Sequence, residues 1–204
     1  MNLDSEYLSL VLSGVVQSVT SDQILIEHAL SDPSGKASPS LVLRNKYNTD
    51  LLNRIVFIGI NIAAASSQAV SLLDCFEQTL KQFDSRQIAV RIERDKPLLD
   101  VLSDPKILVE VIGMIICLIK LENTALKKIS IGLRRRGGYV SIRFTAGKVR
   151  TQLNYQKDLI DFINHILSYN GSRLSWSQKS LSRTAYLRLR LSNQMPLSYN
   201  EYNE

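Results

Sequence analysis

The chain of 204 residues holds few of the side chains from which most catalytic and metal sites are built. It has two cysteines and two histidines, and they do not have the close spacing of metal ligands. Cys75 and Cys117 lie in apolar helical stretches, so we expect small packed side chains rather than a disulfide or a metal site. No G-x-S-x-G nucleophile motif and no G-x-x-x-x-G-K-[ST] phosphate loop occurs.

A long apolar run is also missing. The longest mostly apolar run, Val111–Ile119, is far too short to span a bilayer. The first ten residues, MNLDSEYLSL, lack the basic segment of a signal peptide. We therefore expect a cytoplasmic protein with no membrane partner. The net charge of +6 and the pI near 9.4 permit nucleic acid or an acidic protein as a partner and demand neither.

The N-terminal part predicts two long helices. Apolar residues at spacings of three and four indicate one helix over residues 3–30 and a second helical region over residues 40–83. The loop between them, residues 31–39, is rich in proline and serine. Such a helical hairpin cannot cover both of its apolar faces, so we expect two copies to form a four-helix bundle. The alternative is that the hairpin packs only on its own C-terminal domain.

The apolar period changes to two near Asp84, which predicts a second domain of mixed type. A buried helix is expected to begin at Asp104-Pro105, a cap followed by proline, and to run to about Asn123. Gly137-Gly138 suits a tight turn between two strands. The predicted order is strand 87–93, strand 98–102, helix 104–123, strand hairpin 128–144, helix 155–169, and strands 173–178 and 183–191.

This order resembles the core of histidine kinases, whose ATP-binding domain has the GHKL fold. The segments DPKILVEVIG, NGSRLSWSQ and SRTAYLRLRLS resemble, in the right order, three conserved stretches of that domain. The resemblance implies an α+β fold in which an antiparallel helical hairpin precedes an α/β-sandwich domain. It divides the chain into a dimerisation hairpin (residues 1–84), a degenerate ATPase-like domain (residues 85–192) and a flexible tail (residues 193–204).

The hairpin lacks the expected phosphoacceptor. Laid on the motif of the family, Ser13 falls where the phosphorylated histidine belongs, Gly14 replaces the acidic neighbour, and Ser18 replaces the proline. His28 is the alternative acceptor, and its simpler interpretation is a solvated histidine near a helix C-terminus. His165, in the later helix, is expected to be structural. The chain then resembles histidine phosphotransferases, which pair a dimeric hairpin with a non-functional ATP-binding domain.

The nucleotide site implied by the resemblance is also altered. Met114 and Leu118 replace two asparagines, and neither side chain can serve as an oxygen ligand for Mg²⁺. The stretch TAGKVRTQ has no aspartate for the adenine, and the glycine-rich lid is missing. We therefore expect no cofactor and no metal. Whether the chain is an enzyme stays open, with a pseudokinase as the favoured interpretation.

Strand parity places a basic set of side chains on the face of the sheet away from the helices. Three functions follow as hypotheses. The first is an inactive, dimeric regulatory partner of a signalling protein such as a receiver domain or a kinase. The second is a phosphotransferase that uses His28, and the third is a nucleic-acid module that uses the basic face. The expected interaction face comprises Arg91, Lys128, Arg134, Arg143, Arg173, Tyr186, Arg188 and Arg190.

Overall fold

The computed structural model of the protein describes residues 5–31, 37–83, 89–94, 100–123, 125–126, 128–147, 153–179 and 182–192. The expected tail, residues 193–204, lies outside these ranges. The helices are α1 (Ser5–Ser31), α2 (Pro39–Asn61), α3 (Leu72–Lys81), α4 (Pro105–Glu122) and α5 (Gln156–Ser168). The strands are β1 (Gln68–Val70), β2 (Ala89–Arg94), β3 (Val101–Ser103), β4 (Lys128–Arg136), β5 (Tyr139–Ala146), β6 (Arg173–Lys179) and β7 (Ser182–Arg190).

Helices α1 and α2 form the expected antiparallel hairpin. The two helices run in opposite directions, so the start of α1 faces the end of α2. Gly59 lies against Leu8, whereas Arg44, near the start of α2, contacts Asp22. The two helices meet along a row of fully buried aliphatic side chains, namely Val11 and Val15 from α1 and Leu51, Ile55 and Ile58 from α2.

The second helix is shorter than the sequence predicts. It ends at Asn61, and a 3₁₀ turn, the short strand β1 and helix α3 replace the expected helix up to Phe83. The reason is tertiary. β1 pairs with β3, and the Ser66 backbone N–H donates to the Asp104 carboxylate at 3.0 Å. These bonds to a distant part of the chain satisfy the backbone better than a continued helix would. The predicted domain boundary at residue 84 stays a prediction. The contacts that β1 and α3 make with β3 and α4 favour a boundary within residues 62–67 instead.

The main sheet is mixed and has the order β2-β4-β5-β7-β6. Strand β2 runs parallel to β4, and the other neighbours are antiparallel. Every second side chain of β4 to β7 points to a buried face, as the parity argument predicts, and α5 packs on this layer. A helical hairpin followed by such a sandwich confirms the expected α+β class.

The helix-capping and turn signals in the C-terminal part of the sequence are confirmed. The Asp104 side chain accepts from the backbone N–H groups of Lys106 and Ile107 at 3.0 and 3.1 Å, and Pro105 is the first helical residue of α4. Gly137, in the turn between β4 and β5, has φ 54°. Gly171, which follows the end of α5, has φ 64°. Both values lie in the left-handed region that favours glycine.

Candidate functional site

The helix to which the resemblance assigns nucleotide binding is buried on all sides. Met114 and Leu118 have no exposed surface, and neither has any residue between them. A thioether and hydrocarbon side chains offer no hard oxygen ligand for Mg²⁺, and no solvent reaches them. These residues do not fit a magnesium nucleotide. Instead, α4 forms the centre of the hydrophobic core, against α2 and α3.

A single arginine from the hairpin covers one side of α4. Arg54 of α2 lies across Gly113, where a Cβ atom would come within 2.2 Å of its guanidinium. Its Nη1 donates to the Glu110 carboxylate at 2.6 Å, and its Nη2 donates to the Gln82 side chain at 2.7 Å. The guanidinium also lies 5.3 Å from the centre of the Phe83 ring. Gly113 therefore leaves the space that the Arg54 guanidinium occupies.

The ion pair lies at the edge of the core rather than in an open pocket. The side chains of Arg54 and Glu110 keep 9% and 15% of their surface exposed. Beside them is a shallow cavity of about 360 Å³, lined also by Asp50 and Asn53. Burial raises the pKa of the nearby Cys117 thiol to about 12. Because a thiol at neutral pH then stays protonated, Cys117 behaves as a small apolar side chain, as expected from the sequence.

The segment before α5 packs closely on α1 at the expected phosphoacceptor position. A Cβ atom on Gly14 would come within 2.8 Å of the Tyr155 Cβ atom, so only glycine fits there. Ser13, the neighbouring residue, is exposed and lines a groove of about 630 Å³. The other wall of the groove contains Asn154 and Asp158. Gly14, which the resemblance aligns with an acidic residue, thus has a packing role in this fold.

Below this contact, a buried polar network joins the hairpin to the C-terminal part. The Tyr155 hydroxyl donates to Asn48 Oδ1 at 2.6 Å, and Asn48 Nδ2 donates to Ser18 at 2.9 Å and to Asp22 at 3.0 Å. Arg44 forms an ion pair with Asp22. Burial raises the pKa of the Tyr155 hydroxyl well above its usual value, so it remains a hydrogen-bond donor. No pattern in the sequence indicates this network, because Tyr155 and Asn48, which one of its hydrogen bonds joins, are 107 residues apart.

The two histidines have different surroundings. His28 is exposed in the last turn of α1, on the hairpin. His165 lies in α5, where its Nε2 is 3.2 Å from the Tyr169 hydroxyl and the two rings meet edge to face. This contact agrees with a structural His165. Of the two, only His28 is on the helix that carries Ser13.

The basic set from the sequence lies on the open face of the main sheet. All its described side chains are exposed or half-exposed, and the side chain of Arg91 is outside the described part of the structure. Two rows cross the strands by register. One row joins Arg134, Ser141, Arg188 and Arg173, and the other joins Gly132, Arg143, Tyr186 and Ser175. The Arg188 guanidinium carbon lies over the Tyr139 ring, 3.7 Å from its centre.

Among the described residues, no group of three or more His, Cys, Asp or Glu side chains is arranged to hold a metal ion. The chain matches no protein-family model and no curated protein. Solved structures, by contrast, match over the hairpin and the sheet together. The histidine kinase AdeS of Acinetobacter baumannii superposes with a TM-score of 0.56 at 10% identity, covering 89% of this chain and 98% of AdeS.

A second match is the histidine kinase ThkA, solved in complex with the response regulator protein TrrA. It has a TM-score of 0.53 at 12% identity and covers 89% of this chain, which spans 59% of the ThkA chain. The catalytic domain of ThkA alone gives a TM-score of 0.51 over 62% of this chain. At 10–12% identity these likenesses concern the fold. The protein has the histidine-kinase fold, with a GHKL-like α/β domain behind a helical hairpin.

Proposed function

We propose that the protein is a histidine-kinase-like signalling protein that works without ATP, as a dimeric regulatory or scaffolding partner in the cytoplasm. The observation that carries this proposal is the closed face of α4. Met114 and Leu118 are fully buried, and Arg54 of the hairpin covers the helix at Gly113. The stretch from Met114 to Leu118, enclosed in this way, offers neither oxygen ligands nor space to a nucleotide.

Signalling partners are proposed from the fold. ThkA, which has the same fold, was solved in complex with the response regulator protein TrrA. In this chain, the groove beside Ser13 has the size and polarity for a contact with another protein. It is about 630 Å³ in volume, and Gln17 and Ser21 lie along its α1 side. A receiver domain or a kinase is therefore the proposed partner class.

The proposed dimer uses the outer side of the hairpin, away from α5. Uncharged residues there recur at spacings of three, four or seven, the seam pattern of helices that pack in bundles. Several of them are strongly exposed, including Ile60 at 73% and Leu30 at 58%. We call this set the outer seam. It comprises Leu12, Val16, Gln23, Ile26 and Leu30 of α1, and Val42, Asn45, Thr49, Leu52, Val56 and Ile60 of α2.

A lipid bilayer is the alternative to a second copy of the chain as the cover of part of this surface. By length and composition alone, the stretch Leu8–Ser31 could cross a bilayer, with 24 residues and a mean hydropathy of 1.2. Three observations favour a second copy instead. The stretch contains Asp22, whose buried carboxylate pairs with Arg44. It packs against α2 and α5, and the outer seam continues onto α2.

A phosphotransferase is the second candidate, because His28 is exposed on the hairpin. Phosphate labelling separates the two candidates. Incubation with labelled Mg-ATP is expected to leave the protein unlabelled, since neither Ser13 nor the α4 face supports the reaction. Incubation with a phosphorylated receiver domain is also expected to leave it unlabelled. Label that is lost in His28→Ala and kept in His165→Ala would establish the phosphotransferase. Label from ATP itself would overturn both candidates.

A further inference from the structure

The open face of the main sheet contains a cavity that the proposed function leaves unused. The cavity has a volume of about 330 Å³, and Gly132 of β4 lies at its floor. A Cβ atom built on Gly132 would meet no atom within 4 Å. The glycine therefore opens a space between the long side chains of neighbouring strands. Arg134, Arg136, Ser141, Arg143 and Tyr186 form the walls.

An aromatic ring stands beside this space at the middle of the sheet. Gly132 pairs with Arg143, and Arg143 pairs with Tyr186, so the three lie side by side on adjacent strands. Tyr186 is 40% exposed, although β7 is an inner strand of the sheet. An exposed ring on a flat sheet surface provides a stacking platform for a base, and such stacking tolerates any base.

Positive charge surrounds the ring. Arg143 and Arg173 are exposed, and no carboxylate of the described residues lies within ion-pair distance of either. The ion pairs Arg44–Asp22 and Arg54–Glu110 are elsewhere, on the hairpin and at α4. The Arg188 guanidinium makes a cation–π contact with the Tyr139 ring. Guanidinium groups bind phosphate oxygens in a fork geometry, so the face suits a chain of phosphates.

We propose that this sheet face binds single-stranded nucleic acid, a role separate from the proposed signalling function. One base stacks on Tyr186 above Gly132, and the backbone phosphates contact Arg143 and Arg173. A duplex fits less well, because its grooves are read by an inserted helix or ribbon rather than by a flat sheet. An acidic peptide would use the arginines but leave the ring and the cavity empty. Recognition is therefore by charge and stacking, without strong sequence preference.

The test titrates a labelled oligothymidine with the full chain and measures fluorescence anisotropy. The oligonucleotide has about 20 nucleotides, which is longer than one binding site needs. We expect a dissociation constant in the range of about 10⁻⁶–10⁻⁴ M that weakens as salt rises. With two phosphates neutralised, the slope of log K against log salt is about −1.4, since each phosphate contributes about −0.7 on single strands. An unlabelled duplex of the same length should compete poorly.

Three variants locate the site. The double variant Arg143→Glu/Arg173→Glu should weaken binding more than tenfold. Its control is the double variant Lys81→Glu/Lys157→Glu, which changes the charge equally on α3 and α5 and should have a much smaller effect. Tyr186→Ala should weaken binding about tenfold, the usual effect of removing one stacking ring. Gly132→Val keeps the charge and suits a strand, yet fills the cavity, and should weaken binding severalfold.

Ser130→Val is the matched control for Gly132→Val, because Ser130 is on the same strand and face but does not line the cavity. Equal binding by Gly132→Val and Ser130→Val would overturn the placement of the base. Absence of any anisotropy change at about 50 mM salt, or full competition by polyglutamate at equal charge, would overturn the proposal itself. Neither result bears on the dimer or on nucleotide binding, so the proposed function is tested separately.

Discussion

Replacing Glu110 by alanine is expected to lower the free energy of unfolding by about 3 kcal/mol, because it leaves the buried charge of Arg54 without its partner. Arg54 is 8% exposed, and its Nε already has no hydrogen-bond partner among the described residues. Gln82 Oε1 would remain as a hydrogen-bond acceptor for the Arg54 Nη2 group. The loss should appear in urea unfolding as a lower midpoint with an unchanged slope.

A double variant distinguishes the ion pair from packing. Arg54→Met with Glu110→Leu replaces both charges by apolar side chains of similar reach, which is often neutral for a buried pair. We expect its stability to lie within about 1 kcal/mol of the wild type. If Glu110→Ala unfolds like the wild type, Arg54 does not hold the hairpin on α4, and the closed face would need another cause.

The proposed dimer gives the second large effect. The wild-type chain, of 23.0 kDa, is expected to scatter light as a dimer of twice that mass. Val16→Glu places a charge in the outer seam, and in a two-fold symmetric dimer the charge occurs twice. Because an unpaired buried charge costs several kcal/mol, the dissociation constant should rise at least about 100-fold. The variant should scatter as a monomer at micromolar concentration.

Leu25→Glu is the matched control for Val16→Glu. Val16 and Leu25 are both exposed on α1, at 44% and 49%. They are nine positions apart, which places them on opposite sides of the helix at about 100° per residue. Leu25→Glu should therefore remain dimeric. A wild-type mass of one chain, or equal dissociation of both variants, would contradict the outer seam as the interface.

The sequence predicts the features that depend on local chemistry. Asp104-Pro105 fixed the start of α4, because a capping carboxylate and proline are specific to that position. Strand parity placed Arg143 and Tyr186 on one face, since each side chain of a strand points to one of only two faces of the sheet. The order of these elements was then sufficient to suggest the fold that the solved structures support.

The sequence could not predict the features that depend on distant partners. The apolar spacing of Ile62, Val70 and Phe76 continued the helical period, so the break after Asn61 was missed. Only the pairing of β1 with β3 explains that break. Gly113 resembled any glycine in an apolar helix, and nothing near it in sequence indicated Arg54. The two charges that meet there are separated by 56 residues.

The central claim is that the core of this domain has replaced the nucleotide site of the fold. Calorimetric titration of the full chain with Mg-ATP tests it most directly, with circular dichroism to establish that the protein is folded. We expect only heats of dilution up to millimolar nucleotide, because Met114 and Leu118 are fully buried and offer no ligand to Mg²⁺. Saturable binding of one nucleotide per chain with a micromolar dissociation constant would contradict the claim.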